Sequence, residues 1–137
     1  MVAFLAGEKG TGKTRRMIEM ANENAKVADG NLVFVDDDRR HIFDLKREIR
    51  FVEAGRGDLY NCGEFVGYIR GILSQNSDIQ HIYADGLNNI LQTVDNDGLV
   101  DLAKRLDVLA KENHLSFTLS VNIDKNAVPA ELKDMLI

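Results

Sequence analysis

Short apolar runs recur along the chain, separated by stretches of helical or polar character. Val2–Ala6 and Asn31–Val35 are continuous apolar runs, the pattern of strands covered on both faces. Ile79-Gln80-His81-Ile82-Tyr83-Ala84-Asp85 reads as a strand interrupted by Gln80 and His81 and ending in an acid. Leu115–Asn122 is the last strand. Ile49–Glu53 alternates apolar and charged side chains, which predicts a half-exposed strand at a sheet edge.

Helical spacing fills the intervals. Met17, Ile18, Met20, Ala21 and Ala25 mark a helix over Lys13–Ala25, closed by the turn Ala28-Asp29-Gly30. Phe65, Ile69, Ile72 and Leu73 mark another over Glu64–Ser74. Leu99, Leu102, Ala103, Leu106, Leu109 and Ala110 share one face of a helix over Leu99–Asn113. Before it, Asp95-Asn96-Asp97-Gly98 looks like part of a calcium loop, but its glycine comes two residues early and no glutamate closes it, so it reads as a cap and turn. His41–Leu45 reads as a short helix, Ala54–Gly63 as the longest loop, and Pro129 opens a final helix with Leu132, Met135 and Leu136 apolar. Strands alternating with helices predict an α/β fold. The expectation is a three-layer sandwich around a mainly parallel sheet of about five strands, as a single domain over residues 1–137.

Between the first strand and the first helix lies Gly7-Glu8-Lys9-Gly10-Thr11-Gly12-Lys13-Thr14. It matches G-x-x-x-x-G-K-[ST], the phosphate-binding loop of nucleoside triphosphatases, in its strand–turn–helix context. Its glycines let the backbone approach an anion, and its amides and the helix N-terminus offer donors and positive dipole. Lys13 is the candidate for the β- and γ-phosphates, and Thr14 for Mg²⁺. Arg15 and Arg16 fall in the first helical turn, the wrong end for the helix dipole unless a bound triphosphate offsets them. Asp85, ending an apolar strand, is the candidate second Mg²⁺ residue. Gly86 follows it where many hydrolytic relatives carry a glutamate, then Leu87-Asn88-Asn89. Asparagine orients water but is a poor base. Hydrolysis is therefore expected to be slow, or served by a base elsewhere, such as Asp37, Asp38 or Glu8. Asp36-Asp37-Asp38 follows the second strand. One of the three is a candidate for Mg²⁺ or water, the others reading as turn and cap. Arg56, between Gly55 and Gly57, is a mobile arginine able to reach phosphate or simply an exposed turn residue.

Charge and composition narrow the classes. Apolar residues make up 45% and charged residues 28%, ordinary for a globular domain. Net charge is −5, which argues against general nucleic-acid binding. The balance is uneven: residues 1–70 carry 12 basic and 12 acidic side chains, residues 71–137 carry 5 and 10. The single cysteine, Cys62, forms no internal disulfide and fits a reducing compartment. No stretch nears the ~20 apolar residues of a membrane span, and Met1–Ala6 is too short for a signal segment. A cytoplasmic protein is the expectation. His41, His81 and His114 show no ligand spacing, and no Cys–His pattern suggests zinc.

The phosphate loop, the Asp85 strand and the strand–helix alternation resemble a minimal P-loop NTPase. A full strand and helix between the two motif strands resembles the RecA-like (ASCE) branch. The chain as a whole is similar to small bacterial ATP-binding proteins labelled as related to twitching-motility (pilus-retraction) ATPases, whose longer motors carry further domains and motifs. The resemblance transfers Gly7, Gly12, Lys13, Thr14 and Asp85 as ATP and Mg²⁺ residues. In the RecA-like arrangement the last strand lies between the first strand and the Asp85 strand, and Ser120 or Asn122 would sense the γ-phosphate. Three functions are open. The first is ATP binding with Mg²⁺ and slow or partner-stimulated hydrolysis, a homo-oligomer or protein partner supplying an arginine. The second is a small-molecule kinase, although residues 90–137 hold one arginine, Arg105, and show no lid. The third is a non-hydrolysing, ATP-binding assembly or regulatory module.

Overall fold

A computed structural model describes residues 1–137. Five strands form one sheet: β1 (Val2–Gly7), β2 (Asn31–Asp36), β3 (Ile49–Glu53), β4 (Ile79–Ala84) and β5 (Ser116–Asn122). Their order is β1-β5-β4-β2-β3, and every pairing is parallel. Parallel neighbours need crossovers, supplied by α1 (Lys13–Ala25), α2 (Cys62–Ser74) and α4 (Asn96–Asn113). A fourth helix, α3 (Leu87–Ile90), is a single turn after β4. The result is the expected α/β architecture, a parallel sheet with helices on both faces.

Strand alternation divides the core. Val33 and Val35 of β2, Ile82 and Ala84 of β4, and Phe117, Leu119 and Val121 of β5 join a cluster of 28 buried residues with α2 and α4. The opposite face gives a smaller cluster under α1, with Leu5, Met17, Ala21, Phe34 and Tyr83. There β5 turns Thr118 and Ser120, both buried, toward α1. Thr118 Oγ1 meets His81 Nε2 at 2.8 Å, and Asn24 of α1 donates to Tyr83 Oη at 3.0 Å. The polar alternation of β5 thus follows from the polar partners it meets on that face, His81 and Asp85, beside the smaller apolar cluster.

β3 lies at the sheet edge, as its alternating pattern predicts. Several boundaries differ from the sequence reading. α2 starts at Cys62, because the Asn61 side chain accepts from Glu64 N (3.0 Å) and caps the helix there. α4 starts at Asn96, because Asp95 Oδ1 accepts from Gly98 N (2.6 Å). The connection between β2 and β3 holds only the 3₁₀ turn Ile42–Asp44, tied to α1 where Asn22 Nδ2 donates to Asp44 O and Asn22 Oδ1 accepts from Lys46 N. The C-terminal segment Ala130–Met135 is 3₁₀ rather than α. It is cut short because Leu136 pairs with Phe4 and Ile137 N donates to Phe4 O (3.0 Å), covering the outer edge of β1. No helix is long and apolar enough to cross a membrane.

Candidate functional site

The C-terminal ends of β1, β2, β4 and β5 open into a cleft of about 600 Å³ between α1 and the loops above the sheet. In an open parallel α/β sheet this is where ligands bind. Its floor is built from the Gly7–Thr14 loop. Gly12 is the N-cap of α1 at φ 84°, a left-handed conformation that glycine adopts without strain. A Cβ on Gly7 would lie 2.8 Å from Thr11 Oγ1, so the loop curls only because none is there. The backbone N–H groups of Lys9, Gly10, Thr11 and Gly12 donate to no other protein group. Four adjacent free donors at a helix N-terminus form an anion cradle.

Lys13 closes the cradle. Its Nζ donates to Gly7 O and Glu8 O, each at 2.8 Å, and reaches Thr11 Oγ1 at 3.4 Å. Desolvation lowers its pKa below the usual lysine value, opposed by the nearby Asp85 carboxylate. Of the remaining loop candidates, Glu8 contributes its carbonyl, and Lys9 and Gly10 line the cleft. Arg15 also lines it, with its guanidinium paired to Glu19 at 3.2 Å. Arg16 faces a second hollow on the loop's other flank, about 410 Å³, shared with Asp124, Lys125 and Asn126.

The two sequence motifs meet. Thr14 Oγ1 donates to Asp85 Oδ2 at 2.8 Å across 71 residues of chain. The other carboxylate oxygen, Asp85 Oδ1, accepts from Ser120 Oγ (2.8 Å), which in turn accepts from Gly86 N (2.7 Å). Ser120 therefore holds Asp85 rather than facing the cleft alone. Asn122 lines the cleft, as does Asn89, while Asn88 Oδ1 is committed to Asn122 N at 2.7 Å.

The aspartate triplet divides unevenly. Asp38 is half-exposed and paired with Arg40 at 2.7 Å, which holds its carboxyl below the usual carboxylate range. All three line the cleft, and Asp36 and Asp37 are buried. The reason is that β2 runs one residue further than its apolar run, to Asp36, and ends beside β4, with Asp85 N donating to Val35 O (2.9 Å). Burial first, then hydrogen bonding to Asp37, pushes Asp36 up to about 8. The sequence signal for this pair was the acid run directly after a fully apolar strand; nothing in it ranked the three positions.

Arg56 leans over the rim, with Nε 3.7 Å from Asp37 Oδ2 and Nη2 3.4 Å from Asn89 Oδ1. No three His, Cys, Asp or Glu side chains gather into an all-protein metal cage. Cys62 lies apart from the site, buried at the start of α2. Neither the models of known protein families nor the curated proteins match this chain.

Proposed function

We propose that this chain is a P-loop nucleotide-binding domain of the RecA-like branch that binds ATP with Mg²⁺ and hydrolyses it slowly. The observation that carries the reading is the 2.8 Å contact between Thr14 and Asp85 beside the cradle of free amides. A phosphate loop needs its hydroxyl and a strand-end carboxylate at one point, and two motifs far apart in sequence meet there. The strand order supports the branch, since β5 separates β1 from β4.

The free amides of residues 9–12 take phosphate oxygens, and the α1 N-terminus adds its dipole. Lys13 exchanges its two carbonyl acceptors for phosphate, gaining a charge-assisted bond. Thr14 and Asp85 are hard oxygen donors suited to Mg²⁺, which takes few protein ligands and completes its shell with phosphate and water. When bound, Mg²⁺ supplies charge neutralisation across the phosphate oxygens. Ser120 keeps Asp85 in one orientation throughout. Gly86 offers no base beside Asp85, so intrinsic turnover is expected below roughly 1 s⁻¹, under the common enzyme range.

Titration with a fluorescent ATP analogue and Mg²⁺ tests the reading. Lys13→Ala is expected to weaken binding about 10- to 100-fold, the worth of a bond to a charged group. Asp85→Asn is expected to abolish most of the Mg²⁺ dependence. Parent-like affinity in Lys13→Ala would overturn the assignment.

A further inference from the structure

Among the large apolar side chains Phe43 stands out furthest, 98% exposed. It sits in the middle of the 3₁₀ turn Ile42–Asp44. The turn is fixed rather than loose. Asn22 of α1 donates to Asp44 O (2.9 Å) and accepts from Lys46 N (2.8 Å). Ile42 N donates to Arg39 O (3.2 Å) and Asp44 N to His41 O (3.0 Å). Leu45, two residues on, is buried in the cluster under α1 and anchors the turn. Phe43 therefore adds nothing to the core. A lone exposed apolar residue is ordinary; what sets Phe43 apart is the charge around it.

Residues 39–47 carry four basic side chains and one acid, in a chain of net charge −5. The acid, Asp44, is bonded to His41 Nδ1 at 3.0 Å. Arg40 is paired with Asp38 at 2.7 Å, and Arg39 reaches Glu53 only at 4.0 Å. Lys46 and Arg47 are exposed, and neither takes part in the ion pairs of this region. One free aromatic side chain thus stands among cations with little or no compensation.

We propose that this turn binds single-stranded nucleic acid, a base stacking on Phe43 while Arg39, Lys46 and Arg47 take the flanking phosphates. A free aromatic face beside uncompensated cations supplies the two things an unpaired strand needs, stacking and phosphate neutralisation. A duplex keeps its bases stacked on one another and offers none to Phe43. A protein partner would bury about 800 Å² per side around an apolar centre. The neighbours of Phe43 on the turn give no such centre, being charged or, like Leu45, already buried in the fold. The acidic total opposes contact over the whole surface, which confines the footprint to this turn. No residue of the phosphate loop takes part, so the strand site stands or falls apart from the nucleotide site.

The test uses the full chain with fluorescein-labelled oligothymidylate and oligouridylate of about 15 nucleotides, within the span of known single-strand sites. Anisotropy is followed at low salt. The parent is expected to bind with a Kd of roughly 1–100 µM, the range of sequence-independent binding. Phe43→Ala is expected to weaken binding about 5- to 100-fold, the worth of one stacked base, at an unchanged melting temperature. Lys46→Ser combined with Arg47→Ser is expected to flatten the salt slope by about 1.4, at about 0.7 per phosphate contact. The chain has no tryptophan, so Phe43→Trp carries a probe of its own, whose fluorescence should be quenched by the single strand and not by a duplex of the same sequence. Binding of either oligonucleotide with this dependence on Phe43 supports the proposal and names the sugar it accepts. No binding by the parent overturns it, as does parent-like affinity in Phe43→Ala or an unquenched signal in Phe43→Trp. Polyglutamate bound with the same dependence on Phe43 would assign the turn to an acidic protein segment, and overturns it equally.

Discussion

The Ser120 hydroxyl accepts from Gly86 N and donates to Asp85 Oδ1, linking the end of β4 to β5 through one buried group. It is 1% exposed, and the Asp85 it holds is 4% exposed. Ser120→Ala therefore leaves a donor and an acceptor unsatisfied, at about 1–3 kcal/mol. For a chain of this length that is a fall of roughly 3–10 °C in melting temperature, measurable by circular dichroism. Sequence spacing alone did not place Ser120, because its role depends on which strand neighbours β4. Lys13, Thr14 and Asp85 were legible for the opposite reason. Each belongs to a local pattern whose geometry is set by a few residues. Asp36 and Asp37 were legible as candidates only. Which of three consecutive carboxylates turns inward depends on where β2 stops, and the apolar run ends one residue before the strand does.

Elements were readable wherever burial dictates a period. The apolar faces of α1, α2 and α4 fall on the residues their spacing marks, and Leu99, Leu102, Ala103, Leu106, Leu109 and Ala110 are all buried. Helix ends were not, since a cap is a single side-chain contact rather than a pattern. Asp95 is such a case. It begins α4 three residues earlier than the apolar stripe does, by accepting from Gly98 N at 2.6 Å. Asp95→Ala is expected to cost about 1 kcal/mol in urea unfolding at unchanged m-value. A loss below about 0.3 kcal/mol would mean that α4 is held by its packed face alone. The same helix start shields Cys62, whose Sγ lies 3.4 Å from where a Cβ on Gly98 would stand. Burial pushes the Cys62 thiol up to about 11. Native protein should react with a disulfide reagent at pH 8 far more slowly than protein in urea, since only the thiolate attacks. The short helix α3 and the C-terminal 3₁₀ segment had no period long enough to read. They are shaped by the sheet ends they cover.

Over the whole molecule, two titratable groups on the α1 face of the sheet, half-buried His81 and buried Asp36, have opposite effects on stability. Toward the N-terminal end of β4, His81 stacks on Tyr83 with ring centroids 4.1 Å apart and bonds to Thr118. Burial, aided by the N-terminal ammonium, lowers its pKa to about 4. Between pH 6.5 and 4 the unfolded chain takes up a proton at His81 that the fold refuses. Stability from His81 is thus full above about pH 6.5 and lost toward pH 4, by about 3 kcal/mol. At the cleft end, Asp36 has its pKa raised to about 8. The fold keeps a proton there that the unfolded chain gives up near its model value of 3.8. Stability from Asp36 is full below that value and lost as pH rises toward 8. Between pH 4 and 6.5 the two trends oppose; above 6.5 only the Asp36 trend remains. Melting temperature against pH should therefore fall from pH 6.5 to 8 in the parent and stay level in Asp36→Asn. From pH 4 to 6.5 the parent should stay near level, Asp36→Asn should rise, and His81→Gln should fall. An alkaline decline of equal size in Asp36→Asn would show that Asp36 is already ionised in the fold. The cleft would then carry a further negative charge at neutral pH.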